Sequence, residues 1–182
     1  MPLQSSRLTY TLSTAADSPH YLRWYTDPAT MRYITGGALT PDEGRARFGR
    51  VLDINARSRG WGFFSAWTRT DGAFVGLVKL VPMPDGLAEV GYGLLPPYWG
   101  LGYASEMLAC FTDYACELPD IHTLVALTDP DNEASIHVLV KQGFAAFDFM
   151  PQEPPGQPSL YFRKYLTGKQ PAATDAAARP AG

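Results

Sequence analysis

The stretch Pro97-Tyr98-Trp99-Gly100-Leu101-Gly102-Tyr103-Ala104-Ser105-Glu106 stands where a strand pattern gives way to a helix pattern. Upstream, Leu87 to Leu95 reads as a strand closed by Pro96-Pro97. Downstream, Leu101, Ala104, Leu108, Phe111 and Ala115 fall on one stripe of a helix that stops near Pro119. Two glycines at such a junction let backbone N–H groups approach a ligand closely, and the helix N-terminus adds about half a positive charge. A pyrophosphate can be held there without basic side chains. The dinucleotide fingerprint is not met, because Ser105 occupies its third glycine position and the preceding strands read as antiparallel. Alone, the turn fits a ligand cradle and a structural redirection of the chain equally well.

Outward toward the N-terminus, Trp61 to Thr68, Ala73 to Val81 and Leu87 to Leu95 are strands joined by Asp71-Gly72 and Pro84-Asp85-Gly86, which predicts an antiparallel meander. Before them, Thr40, Pro41 and Glu43 form a capping-box start for a helix that ends before Gly60. Asp17 to Tyr33 is helical and interrupted at Asp27-Pro28, and Arg7 to Leu12 is a first strand. Toward the C-terminus, Ile121 to Leu127 is a buried strand, and Asp129-Pro130 caps a helix that Gly143 ends. Phe144 to Phe149 and Ser159 to Tyr165 are the last two strands, joined by the proline-rich segment Pro151 to Pro158.

Composition narrows the function classes. The chain has 182 residues, 46% hydrophobic, the size of one domain with a real core. Residues 1–166 are expected to form that domain, and the Ala/Pro-rich tail 167–182 to be disordered. Eighteen acidic against 15 basic residues argue against a general nucleic-acid binder, which needs a basic surface. Two cysteines, Cys110 and Cys116, make no disulfide framework and show no metal-ligand spacing, so the cytoplasm is the expected compartment and no metal is expected. Met1 to Leu12 has no apolar signal-peptide core, and the uncharged run between Glu89 and Glu106 is broken by Gly and Pro, so no membrane partner is expected.

A second segment, Asp129-Pro130-Asp131-Asn132-Glu133-Ala134-Ser135-Ile136, leads into a helix ending Lys141-Gln142-Gly143-Phe144. With Tyr98 to Ala104 and then Asn132 through Ser135 and Gly143-Phe144 in this order, the sequence resembles the GCN5-related N-acetyltransferase (GNAT) superfamily, over about residues 7 to 165. Within it, the chain is similar to the RimJ/RimL-like branch of ribosomal-protein N-terminal acetyltransferases. The resemblance implies an α/β (α+β) GNAT fold: a mixed, mostly antiparallel sheet of seven strands with about four helices, splayed where Leu87 to Leu95 meets Ile121 to Leu127.

It further implies an acetyl-CoA site. The strand ending at Leu94 and Leu95 would offer backbone hydrogen bonds to the pantetheine arm. The amides of Gly100, Leu101, Gly102, Tyr103 and Ala104 would hold the pyrophosphate, and Asn132 and Ser135 would face the arm and thioester. The superfamily motif usually opens with Gln or Arg where this chain has Pro97, a departure that weakens a phosphate contact and is common in the RimJ/RimL-like branch.

Acetyl transfer to an amine needs a base to take a proton from the ammonium and a donor to protonate the departing thiolate. Similar sequences place a glutamate at Glu89, the first choice for the base, since a carboxylate beside an apolar pocket can be tuned toward neutrality. The alternative is a solvent-facing strand residue. Ser135 and Tyr103 compete as the donor, and Tyr92 is a further candidate; the alternative for Ser135 is a local backbone partner. Arg45, Arg47, Arg50, Arg57 and Arg59 crowd the second long helix without forming one clean stripe, so a solvated face competes with attraction of an acidic protein substrate. Trp24, Tyr25, Tyr33, Trp61, Phe63, Phe64 and Trp67 are read mainly as core, with some lining an acceptor pocket.

The expected function is transfer of an acetyl group from acetyl-CoA to a primary amine, foremost a protein or peptide N-terminus. The alternatives are a small amine (polyamine, amino sugar or aminoglycoside), a non-catalytic CoA-binding sensor, and a nucleotide-binding protein. The expected assembly is a monomer or homodimer.

Overall fold

The computed structural model describes residues 3–148 and 159–169. The proline-rich segment Pro151 to Pro158 and the tail beyond Lys169 lie outside them. In chain order the elements are β1 (Leu3–Gln4), β2 (Leu8–Leu12), α1 (Ser18–Tyr25), α2 (Pro28–Thr35), α3 (Pro41–Asn55), β3 (Gly62–Thr68), β4 (Phe74–Pro82), β5 (Leu87–Leu94), α4 (Tyr103–Glu117), β6 (Thr123–Thr128), α5 (Glu133–Lys141), β7 (Ala145–Ala146) and β8 (Leu160–Tyr165), with short 3₁₀ turns at Ala15–Asp17, Pro84–Gly86 and Pro96–Tyr98. The α/β class is the expected one. The counts are eight strands and five α-helices among the described residues, because Leu3–Gln4 adds an edge strand and Pro28 makes two helices of one pattern.

The strands form one sheet in the order β1-β2-β3-β4-β5-β6-β8-β7. Every neighbouring pair is antiparallel except β5 and β6. Those two run parallel and pair only through Leu87–Thr123, Ala88–Leu124 and Glu89–Val125. Beyond Glu89 the strands part, so the backbone of Val90 to Leu94 faces a gap on that side.

Each face of the sheet is covered by its own helices. Met107, Leu108, Phe111 and Ala115 of α4 and Leu139 of α5 pack on one face with Val78, Leu80, Val90 and Leu94. Tyr21, Trp24 and Tyr25 of α1, Met31 of α2, and Phe48 and Val51 of α3 pack on the other with Phe74, Leu77 and Leu95. Successive strand residues point to opposite faces, and β4 obeys this from Leu77 onward. A bulge between Ala66 and Trp67 of β3 pairs Ala66 with Gly76 and Trp67 with Phe74, which leaves Val75 over and reverses the parity of Phe74 and Val75. Both side chains are thereby buried, Phe74 under α1 and Val75 under α4.

Two local readings are corrected. Asp129 does not cap α5: its carboxylate accepts from the Asp131 amide, and Asn132 is the cap, accepting from the Ser135 amide. The strand expected over Phe144 to Phe149 is confined, among the described residues, to Ala145–Ala146. The capping box at the start of α3 forms as expected, with Thr40 and Glu43 bonding reciprocally.

Gly76 allows the closest approach in the sheet. A Cβ there would stand 2.1 Å from the Gly93 carbonyl oxygen, and backbone cannot yield as a flexible side chain can. Replacing Gly76 with Ala is expected to cost about 3 kcal/mol and lower Tm by roughly 6–12 °C, measured by thermal unfolding; an unchanged Tm would refute the close approach.

Candidate active site

The glycine turn is built from the N-terminal strand as much as from its own residues. Gly100 and Gly102 both have left-handed backbone, φ 71° and 81°, which glycine adopts without strain. Gly102 is the N-cap of α4, and no side chain caps that helix start. Its first amides therefore stay available to an anion. Arg7 holds the turn from the side, donating from Nη1 to the Leu101 carbonyl at 2.8 Å and lying 4.2 Å from the Tyr103 ring centroid. Glu106 fastens Arg7 in turn, accepting from its backbone N–H and its Nε, both at 2.6 Å, and from Ser5 Oγ at 2.7 Å. Leu101, placed on the helical stripe by its period, instead sits exposed in the turn ahead of α4.

The end of β5 is partly committed. The Leu94 carbonyl accepts from Trp99 Nε1 at 2.8 Å, leaving one lone pair free. The Leu95 amide donates to the Val75 carbonyl at 2.9 Å, and the Leu95 side chain is buried beneath α1 to α3. Of the two expected backbone partners for the arm, Leu94 retains capacity and the Leu95 N–H does not.

A cavity of about 850 Å³ opens at the splay. Trp24, Tyr25, Tyr33 and Phe63 line it; Trp61, Phe64 and Trp67 do not. Glu89, Tyr92 and Ser135 meet there, although Glu89 and Tyr92 belong to opposite faces of β5. The cavity thus passes through the sheet where the β5–β6 pairing stops.

On the α1–α3 side, Glu89 Oε1 lies 2.5 Å from Lys79 Nζ. Lys79 is the cross-strand partner of Gly91, two residues along from Glu89, a diagonal that a long side chain spans. Gly91 clears the route, since a Cβ there would meet Lys79 Cε at 2.9 Å. Sequence reading expected an apolar pocket at this carboxylate; the structure puts an ion pair there. Lys79 has no motif around it, and only the β4–β5 register reveals it.

On the other side, Tyr92 Oη and Ser135 Oγ are 3.2 Å apart, so two of the proposed donors form one hydroxyl pair. Burial pushes the Tyr92 phenol up to about 12, against a smaller opposing effect of the Ser135 hydrogen bond. The pair therefore keeps its protons at neutral pH and can donate. Tyr103, the rival donor, stacks under Arg7 and does not line the cavity. Asn132 orients Ser135 through the cap bond at 3.1 Å. Among the described residues no group of three or more His, Cys, Asp or Glu is arranged to hold a metal ion, and no helix is long and apolar enough to cross a membrane.

Residues 7–145 match the family model for the acetyltransferase (GNAT) domain, and the chain belongs to this family. It is 25% identical over 145 residues to the uncharacterized N-acetyltransferase p20 of Bacillus licheniformis, covering 78% of this chain and 81% of that one. Among solved structures it is similar to RimL, a ribosomal L7/L12 α-N-protein acetyltransferase in complex with CoA (TM-score 0.75, 16% identity, 91% of this chain and 98% of that one). It is also similar to a spermidine N-acetyltransferase from Vibrio cholerae in complex with CoA and spermine (TM-score 0.70, 16% identity, 88% and 96%). The chain is a GNAT acetyltransferase.

Glu106 supplies a test of the turn. Burial raises its pKa, but the hydrogen bonds from Ser5 and Arg7, with the Arg7 charge, together outweigh this and lower it. A carboxylate depressed in the folded state stabilises above the ordinary carboxylate range, and that contribution disappears as pH falls through the folded value. Replacing Glu106 with Gln should therefore cost about 1–2 kcal/mol near neutral pH and progressively less toward about pH 3, with weaker CoA binding. An equal loss of Tm at both pH values would refute the clamp.

Proposed function

We propose that this protein moves an acetyl group from acetyl-CoA to a primary amine, the N-terminal amine of a protein or peptide. The observation that carries the reading is the cavity through the sheet, which gives the Glu89 carboxylate and the Tyr92–Ser135 hydroxyl pair access to a common space from opposite faces. The donor supplies an activated acetyl thioester. The uncapped amides from Gly100 to Ala104 would hold its pyrophosphate and the free lone pair of Leu94 its arm, while Asn132 and Ser135 would face the arm. The fit rests on the open helix start and on the unpaired edge of β5.

Proton handling divides along the same line. Glu89, on the α1–α3 side, takes a proton from the incoming ammonium, directly or through water. Lys79 holds its carboxylate in place. The Tyr92–Ser135 pair, on the α5 side, gives a proton to the departing thiolate. Both cysteines are free, which suits a reducing cytoplasm.

Thiol release from acetyl-CoA with a panel of peptides and small amines tests the reading. Turnover above background hydrolysis is expected, and tight CoA binding without turnover would leave a binding module instead. Glu89→Gln should lower kcat by roughly 10²-fold or more with CoA affinity unchanged. Tyr92→Phe and Ser135→Ala should each lower it roughly tenfold. Because the Tyr92 phenol stays protonated, the Tyr92→Phe rate should fall while keeping the wild-type pH dependence between about pH 6 and 9; an unchanged kcat would remove Tyr92 from the proton path.

A further inference from the structure

Five arginines crowd α3 and its end, and the fold separates them. Arg45 pairs with Asp42, and Arg57 and Arg59 are exposed beyond the helix. Arg47 and Arg50 instead line the cavity together with Val51 and Ile54. The spacing 47, 50, 51, 54 is one helical face. Val51 is buried, and the two arginines line the same cavity as Glu89. Neither arginine forms an ion pair with a carboxylate among the described residues. Arg47 lies 5.8 Å from the Tyr25 ring centroid, and burial raises the Tyr25 phenol while both arginines act to lower it. Trp24 lines the same wall, and its buried Nε1 lacks a hydrogen-bond acceptor among the described residues.

The opposite wall carries the acids. Glu89 and Asp129 line the cavity from the β5 and β6 side. Lys79 is already matched by Glu89, so the uncompensated positive charge belongs to α3. A cavity lined by carboxylates from β5 and the end of β6 and by two α3 guanidiniums, of which Arg47 hydrogen-bonds Tyr25 and neither has a carboxylate partner among the described residues, is complementary to a molecule that is cationic at one end and anionic at the other. A polycation would place its second charge against the arginines.

Building on the proposed function, we infer that the acceptor is an amine bearing a carboxylate, and that Arg47 and Arg50 hold this carboxylate while the amine faces Glu89. The chemistry is shared by a peptide with Asp or Glu near its N-terminus and by a free acidic amino acid. Guanidinium forks suit a carboxylate better than a lone ammonium would. Arg50, exposed and unpaired, can be changed without disturbing the core.

The test uses the full chain, saturating acetyl-CoA and four kinds of acceptor: short peptides identical except for Glu, Gln or Lys at the second and third positions, and free glutamate. The Glu peptide should exceed the Gln peptide in kcat/KM by roughly tenfold, through KM, with the Lys peptide lowest, and turnover of free glutamate as well would show that the arginines take the carboxylate without a peptide chain. The preference should shrink as salt rises. Arg50→Glu should abolish it and favour the Lys peptide, leaving CoA affinity unchanged. Equal kcat/KM for the Glu, Gln and Lys peptides, or an acidic preference intact in Arg50→Glu, would overturn the inference. A loss of CoA affinity matching the rise in acceptor KM would also overturn it, by assigning the arginines to the donor's phosphates. Calorimetry with the N-acetylated Glu and Lys peptides reads the same preference without turnover. Absent turnover with an intact binding preference would therefore count against the proposed function alone, and equal binding of the two acetylated peptides would overturn the inference.

Discussion

The parallel pairing of β5 with β6 lasts three residues, and the site depends on where it stops. A fully zipped sheet would be a wall between its two helical layers. Because hydrogen bonding ends at Glu89 and Val125, the strands separate and a cavity runs from one layer to the other. Alternation along β5 then does the rest, placing Glu89 on the α1–α3 side and Tyr92 on the α4–α5 side within four residues. A carboxylate and a hydroxyl pair are thus presented to one cavity from opposite faces by backbone geometry alone.

Around that opening, glycine is used where backbone or a large side chain must come close. Gly91 clears a path for Lys79 toward Glu89, and Gly93 lies under the Trp24 indole, where a Cβ would meet the ring at 2.3 Å. Gly100 and Gly102 serve a different need, a left-handed turn that delivers bare amides at the start of α4. This turn is not self-supporting. Arg7 and Glu106, 99 residues apart, tie it to the N-terminal strand, so the edge of the sheet holds the place where an anion would dock.

Much of the fold was legible because its signals are local. The capping box at Thr40, the break at Pro28 and the turn glycines each act within a few residues, and the elements fall where those signals put them. The misplacements are local as well: Asn132 won the cap from Asp129 because its side chain reaches the Ser135 amide, whereas Asp129 spends its carboxylate on a turn. The candidate site was legible in part. Gly100, Gly102, Glu89 and Ser135 stood out by type and position, whereas Lys79 did not and Arg47 and Arg50 stood out only as two of five arginines on or just beyond α3, since neither a single charged residue in a strand nor one arginine among five has a pattern of its own.

The sequence by itself determined the order and type of most elements and the glycine turn at a helix start, because periodicity, capping and turn chemistry are read within about ten residues; the acetyltransferase family was legible only through the resemblance of Tyr98 to Ala104, Asn132 to Ser135 and Gly143-Phe144 to its motifs. Only the tertiary structure decided which side chains meet. Tyr92 touches Ser135 across 43 residues, Lys79 reaches Glu89 through a diagonal of the β4–β5 register, and two arginines of five turn toward the cavity. Each of these follows from register, from the parity that a bulge can reverse, and from the point where two parallel strands part. Those quantities are set by the packing of the whole sheet, and no short window of sequence contains them.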